Sequence, residues 1–315
     1  MNSLSPQLER IPNELERLLA LLPRDLASSL HSEMEQLEEI VLDLHMPLRL
    51  AYGDGRLIEL ERHTTRADLE TVKYAVGRFR DDGRRGVDGT LHRISAAKND
   101  DGQIVRITLR IGRYVPYVAE PLRKWLERPE GILLIGPPGV GKTTLLRDLI
   151  RIRAERHGFR LIVVDSSNEL FGDGEVPHSS LGRASRLQVG SPERQAKVLL
   201  EAISNHSPRE IALDEIGYRG DLELMHSASK RGISLVASVH GHTLSDVLEN
   251  TQLLPLLGRV NERGAAKERD SRPAFGMALE IRSRREVIVH QNLALAVDAL
   301  LEGTDPEVDT VALIK

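Results

Sequence analysis

Apolar residues recur along the chain with two different periods. Ile11, Leu15, Leu18, Leu19 and Leu22 fall on one helical face, so residues 11–45 are predicted helical with a break at Pro23. A short strand at 47–52, a turn at Asp54-Gly55, a helix near 66–79 and a Gly/Asp-rich bend at 81–89 are expected next. The clearest strand of this half is 104–111, where Val105, Ile107, Leu109 and Ile111 alternate with Arg106, Thr108 and Arg110. One face is thus buried and the other is a row of guanidinium groups. Pro116 and Pro121 mark the linker that follows.

Beyond residue 130 the period changes. Short apolar runs at 131–135, 161–165, 211–214 and 233–239 alternate with helical stretches near 142–156, 192–204, 220–230 and 244–253. Near-continuous apolar strands separated by helices predict a parallel sheet covered on both faces. A charged stretch at 261–273 reads as a further linker, followed by a hairpin at 275–282 and 286–290 and a helix near 293–302. The expected organisation is an α+β domain over 1–118, an α/β domain over 119–260, and a linker, hairpin and helix over 261–315.

The turn after the strand 131–135 reads Gly136-Pro137-Pro138-Gly139-Val140-Gly141-Lys142-Thr143-Thr144. It fills the G-x-x-x-x-G-K-[ST] pattern where that pattern works, after an apolar strand and at a helix start. Pro137 and Pro138 have no N–H to donate, which costs nothing, because the wrapping donors are the N–H groups of Gly139 through Thr144. Lys142 is placed to bridge β- and γ-phosphate oxygens, and the Thr143 hydroxyl to ligate Mg²⁺.

Residues 210–217 read EIALDEIG, an apolar strand ending in Asp214 and then Glu215. Asp214 suits the Mg²⁺-holding role, and Glu215 is the natural general base for an attacking water. The extra strand between the phosphate loop and this acid, with a second carboxylate beside it, favours a RecA-like or AAA-like P-loop core. Asp165 and Glu169 end the second strand and are expected to face the same cleft, Glu169 binding metal-bound water or the nucleophile. His240 and His242 end the next strand two residues apart. They read either as zinc ligands with His226 or, better, as a polar sensor near the γ-phosphate, with His240 the first choice.

Composition narrows the partners. No cysteine is present, which excludes disulfides and thiolate chemistry and fits a reducing compartment. No apolar run approaches the roughly 18 residues of a membrane span. The acids Glu9, Glu14 and Glu16 argue against a targeting segment, so a cytoplasmic protein is expected. Forty-three basic residues face 47 acidic ones, but unevenly: 1–70 hold 14 acids and 7 bases, whereas 77–113 hold nine bases and five acids. That leaves a local basic strip, while the 3 % aromatic content offers little base-stacking surface.

The stretches TLHRISAAKNDDGQIVRITLRIGR, GPPGVGKTTLLRDL, VVDSSNELFGDGEVPHSSLGRASRLQV, EAISNHSPREIALDEIG, RGISLVASVHGHTL and EIRSRREVIVHQNLALAVDALLEG resemble ATPases like stage III sporulation protein AA. The likeness is closer to cyanobacterial and plastid homologues known as single-stranded nucleic-acid-binding ATPases. Those homologues extend into a C-terminal nucleic-acid-binding domain with an Arg-x-x-x-His signature, which this chain is expected to lack. The resemblance implies ATP and Mg²⁺ as cofactors, a ring-forming homo-oligomer such as a hexamer, and a similarity to traffic and secretion ATPases. It makes Asp165 and Glu169 an acidic box, His240 and His242 a histidine box, and Arg106, Arg110, Arg113, Arg183 or Arg186 a finger on a neighbour's nucleotide. The expected activity is that of a motor or remodeller acting on nucleic acid, single-stranded or branched DNA; the alternative is a protein-directed ATPase powering assembly or secretion of a membrane-associated complex.

Overall fold

The helical face at the start of the chain folds as α1 (Arg10–Leu19) and α2 (Arg24–Ser29), parted at Pro23, which has no N–H to continue a helix. The computed structural model describes residues 10–30, 36–216, 219–258, 260–263 and 266–313. It forms two units, Met1–Tyr114 with Phe171–Ser179, and Val115–Leu170 with Ser180–Lys315.

In the first unit the helix expected as far as residue 45 gives way to β1 (Leu37–Asp43). Ile40, Val41 and Leu42 are buried there, and pairing along both edges overrides the helical preference of Glu38 and Glu39. β2 (Pro47–Tyr52), β3 (Leu57–His63), α3 (Arg66–Val76), β4 (Arg84–Gly86), β5 (Arg93–Lys98) and β6 (Ile104–Arg110) follow. The strands form one antiparallel sheet in the order β3-β2-β1-β6-β5-β4. β3 has no continuous apolar run, and as an edge strand it buries neither face fully. α3 starts at a capping box in which Thr65 and Asp68 exchange side-chain-to-backbone bonds. The core joins Leu18, Leu22 and Leu26 to Ile40, Leu42, Leu69, Ile107 and Leu109. The alternation read at 104–111 holds, with Arg106 and Arg110 exposed opposite the buried Ile107 and Leu109.

Phe171–Ser179 reaches this unit from later in the chain. Phe171 is buried, and Gly172 has φ +86° where an added Cβ would lie 2.0 Å from Thr90 O. Only glycine fits that approach. Arg80 pairs with Asp173 at 2.7 Å, and His178 Nε2 lies 2.8 Å from Glu14 Oε1.

The second unit contains α4 (Arg123–Leu126), β7 (Ile132–Ile135), α5 (Lys142–His157), β8 (Leu161–Asp165), β9 (Ser185–Gln188), α6 (Gln195–Asn205), β10 (Glu210–Leu213), α7 (Arg219–Lys230), β11 (Ser234–Val239), α8 (Leu244–Glu249) and α9 (Leu254–Leu257). It continues with β12 (Val260–Arg263), β13 (Ala266–Arg269), β14 (Met277–Ser283), β15 (Glu286–His290), α10 (Leu293–Leu301) and β16 (Asp309–Ala312). Eight strands form one sheet in the order β16-β15-β14-β7-β11-β10-β8-β9. The six from β14 to β9 are parallel, while β15 and β16 run antiparallel at one edge. Every residue of β7, β8 and β10 is buried, as a sheet covered on both faces requires.

Three details differ from the sequence reading. The stretch expected as a linker at 261–273 holds the antiparallel ribbon β12-β13, whose pairing supplies backbone partners. The helix expected over 244–253 breaks at Asn250, where the backbone turns extended. The hairpin and helix expected after 275 are present, but the hairpin belongs to the central sheet, with β14 against β7.

Candidate active site

β7 delivers the chain into the phosphate loop at Gly136 and α5 leaves it at Lys142. Gly139 and Gly141 take φ +75° and +109°, conformations open to glycine, and an added Cβ at Gly136 would lie 2.9 Å from Val140 Cγ1. Pro138 and Gly139 are exposed, and Pro137, Val140, Gly141, Thr143 and Thr144 half-buried. Lys142 folds back over the loop, its Nζ donating to Gly136 O at 2.6 Å and Pro137 O at 3.0 Å and lying 3.2 Å from His240 Nδ1. Burial lowers its pKa from the ordinary lysine value, against the pull of Glu215 and Asp214.

Asp214 follows β10 and is 8 % exposed. Ser238 Oγ donates to its backbone oxygen at 2.6 Å, and Ile216 N donates to Ser238 O at 2.9 Å, which fixes the acid segment against β11. Its carboxylate accepts from Ser167 Oγ at 2.7 Å. Burial pushes Asp214 up to about 6, opposed by Ser167 and reinforced by the charges of Glu169 and Glu215. Its neighbour Glu215 is half-exposed, and Glu215 Oε1 lies 2.8 Å from His240 Nε2. The backbone oxygen of Glu215 accepts from Gln195 Nε2 at 2.9 Å, and the same amide donates to Asp221 at 2.7 Å.

Glu169 is exposed, and the buried Arg147 donates to its backbone oxygen at 2.7 Å and to that of Leu170. Asp165 does not open into the cleft as expected. It is fully buried at the end of β8 and accepts from Leu170 N, closing the turn that carries Glu169. His242 is exposed at the α8 capping box, its backbone N–H bonded to Asp246. Among the described residues no group of three His, Asp or Glu could hold a metal, so the zinc reading of His226, His240 and His242 has no cluster behind it. Arg110 and Arg113 belong to the first unit. Arg110 stands opposite Glu39 on β1 and Arg93 on β5, and Arg113 lines a small cavity with Glu14, His92, Tyr114 and His178.

Thr143 and Asp214 are oxygen donors of the kind Mg²⁺ takes when phosphates complete its shell. A buried carboxylate flanked by two further acids, with one hydroxyl donor, is also a place that favours a cation. Those two residues would hold the metal, which would neutralise charge on the phosphates.

The protein family described as Sporulation stage III, protein AA matches residues 85–286. The chain belongs to this family. Among relatives, the Arabidopsis thaliana protein Seedling Plastid Development 1 is 40 % identical over 92 % of this chain and 45 % of its own length. An uncharacterized protein, ycf45 of Porphyra purpurea, is 36 % identical over 94 % of this chain and 55 % of its own. The chain thus spans about half the length of these two curated relatives. Among solved structures, the Legionella pneumophila ATPase DotB superposes with a TM-score of 0.58 at 16 % identity, covering 90 % of this chain and 84 % of DotB. The pilus retraction motor PilT with bound ADP gives 0.56 at 17 %, covering 74 % and 73 %. These likenesses establish the RecA-like P-loop fold expected from the sequence.

Several residues of this family member's site were not legible. Ser238 and Gln195 reach the acid segment from 24 and 20 residues away, and neither sits in a motif. Glu280 is an acid in the apolar run of β14, accepting from Leu244 N at 2.7 Å and lying 2.8 Å from His290 Nε2. Burial works to raise its pKa, but His290 and the Leu244 N–H hold it below the usual range. The only sequence signal was a charge where the strand pattern called for an apolar residue.

Proposed function

We propose that the chain is a Mg²⁺-dependent ATPase that works as a nucleotide-driven ring motor, a hexamer in the form its resemblance implies. The observation that carries this reading is the continuous line from Lys142 through His240 to Glu215, at 3.2 and 2.8 Å, beside the buried Asp214. In this reading Lys142 moves from the loop carbonyls to the β- and γ-phosphates, and the Gly139–Thr144 N–H groups wrap them. Thr143 and Asp214 hold Mg²⁺. Glu215 orients the attacking water, with Glu169 at the cleft edge, and His240 couples Glu215 to the γ-phosphate end. Arg110 or Arg113, both exposed on the first unit, supplies a finger to the nucleotide of a neighbouring copy.

The motor's substrate in this proposal is a protein assembly. Among fold relatives DotB is an ATPase and PilT a pilus retraction motor. The basic strip is also interleaved with acid: Asp43 lies 3.6 Å from Arg106, and Glu39 faces Arg110 across the ladder. The exposed guanidinium groups on β6 favour a second reading, in which single-stranded or branched DNA is the substrate.

Phosphate release from Mg²⁺-ATP, measured for wild type and Lys142→Ala with and without single-stranded and branched DNA, tests both. The proposal expects turnover that Lys142→Ala or EDTA abolishes and that DNA leaves unchanged. Turnover surviving in Lys142→Ala overturns the site. Stimulation by DNA that fades steeply with added salt would establish the second reading instead.

A further inference from the structure

The order of the strands decides which end of a nucleotide faces which flank of the phosphate loop. β14, β7, β11 and β10 are consecutive parallel neighbours, so the segments that follow them emerge along one edge of the sheet. Asp214 and Glu215 follow β10 and His240 follows β11, all on one side of the loop that follows β7. β14 lies on the other side. With the γ-phosphate directed at the acids, the α-phosphate and nucleoside lead toward β14.

Register carries β14 past the loop. Glu280 pairs with Ile135, the last residue of β7, so residues 281–284 run beside Gly136 and beyond. Ile281 Cβ is 3.3 Å from where a Cβ on Gly136 would stand, and Arg284 Cγ is 3.9 Å from the same point on Gly141, the N-cap of α5. Arg284 is the first of the two residues between the closing pair Ser283 and Glu286 of the β14-β15 hairpin. Its side chain is exposed and, among the described residues, its guanidinium has no ion-pair or hydrogen-bond partner. Arg282, by contrast, is held by Glu280 at 2.7 Å.

The chain is poor in aromatic residues, and among the described residues of this unit they are few. Trp125, Phe159 and Phe275 precede β7, β8 and β14, toward the opposite ends of the strands from the phosphate loop. A planar guanidinium is suited to stack on a base at this flank. We infer that Arg284, at the tip of the β14-β15 hairpin, lies on the nucleoside end of the bound nucleotide and stacks on its base. The inference rests on the nucleotide-site reading above.

Calorimetric titrations of wild type, Arg284→Ala, Arg284→Lys and Lys142→Ala with ATP, ADP and inorganic tripolyphosphate in Mg²⁺ test it. Arg284→Ala is expected to weaken ATP and ADP alike by roughly 3- to 30-fold, the range of a cation–π contact, with Arg284→Lys, which keeps the charge but not the planar face, recovering only part, and both are expected to spare tripolyphosphate. ADP binding at wild-type strength in Arg284→Ala, wild-type affinity restored by lysine, or an equal loss for tripolyphosphate would each overturn the stacking role. Lys142→Ala separates the two claims, since it should weaken all three ligands. If it binds ATP like wild type, the nucleotide-site reading itself fails, whatever Arg284 does.

Discussion

Lys142 shows how much of a site is set before any ligand arrives. Its ammonium is already satisfied by two loop carbonyls and stands against His240, so phosphate oxygens would replace existing partners rather than quench a bare charge. The same scale holds a pH effect in the first unit. Burial pushes His92 from the ordinary 6.5 down to about 4, against the upward pull of Glu14. Between those values the unfolded chain binds a proton that the folded one refuses, so stability is full above pH 6.5 and is lost as pH falls toward 4. The loss amounts to roughly 3 kcal/mol for this one group. Asp214, raised to about 6, works in the opposite sense over the same window, so urea unfolding should lose more stability on acidification in wild type than in His92→Gln; parallel curves would remove His92 as a contributor.

At the scale of elements, α5 is tied to the sheet by a buried ion pair. Arg153, 1 % exposed, donates to both oxygens of Glu210 on β10 at 3.0 Å and to the Leu126 carbonyl at 2.8 Å. Arg153→Met leaves Glu210 charged and buried, and should cost about 3–5 kcal/mol in denaturant unfolding, with part recovered in Arg153→Met/Glu210→Gln. A loss below 1 kcal/mol would show the pair to be dispensable. Elements with a continuous local signal were legible: the strands β7, β8, β10 and β11, the loop 136–144, and the alternating β6. β1 was misread because its identity lies in its two partners, and β12-β13 because charged residues hide a backbone pairing. The acids of the site were legible as neighbours in sequence, whereas the residues that hold them, Ser238, Gln195 and Arg147, act across folded distance.

At the scale of the whole molecule, the chain leaves the second unit after Leu170, contributes Phe171–Ser179 to the first unit and returns. The turn that presents Glu169 is therefore covalently continuous with a segment packed in the other unit. No helix among the described residues is long and apolar enough to cross a membrane. The most direct test of the whole account is ATP turnover by the intact chain in Mg²⁺, wild type against Glu215→Gln, with ATP binding measured on the same samples. Glu215→Gln is expected to bind ATP as tightly as wild type and to release phosphate at least about 100-fold more slowly. Equal turnover in the two proteins would contradict it.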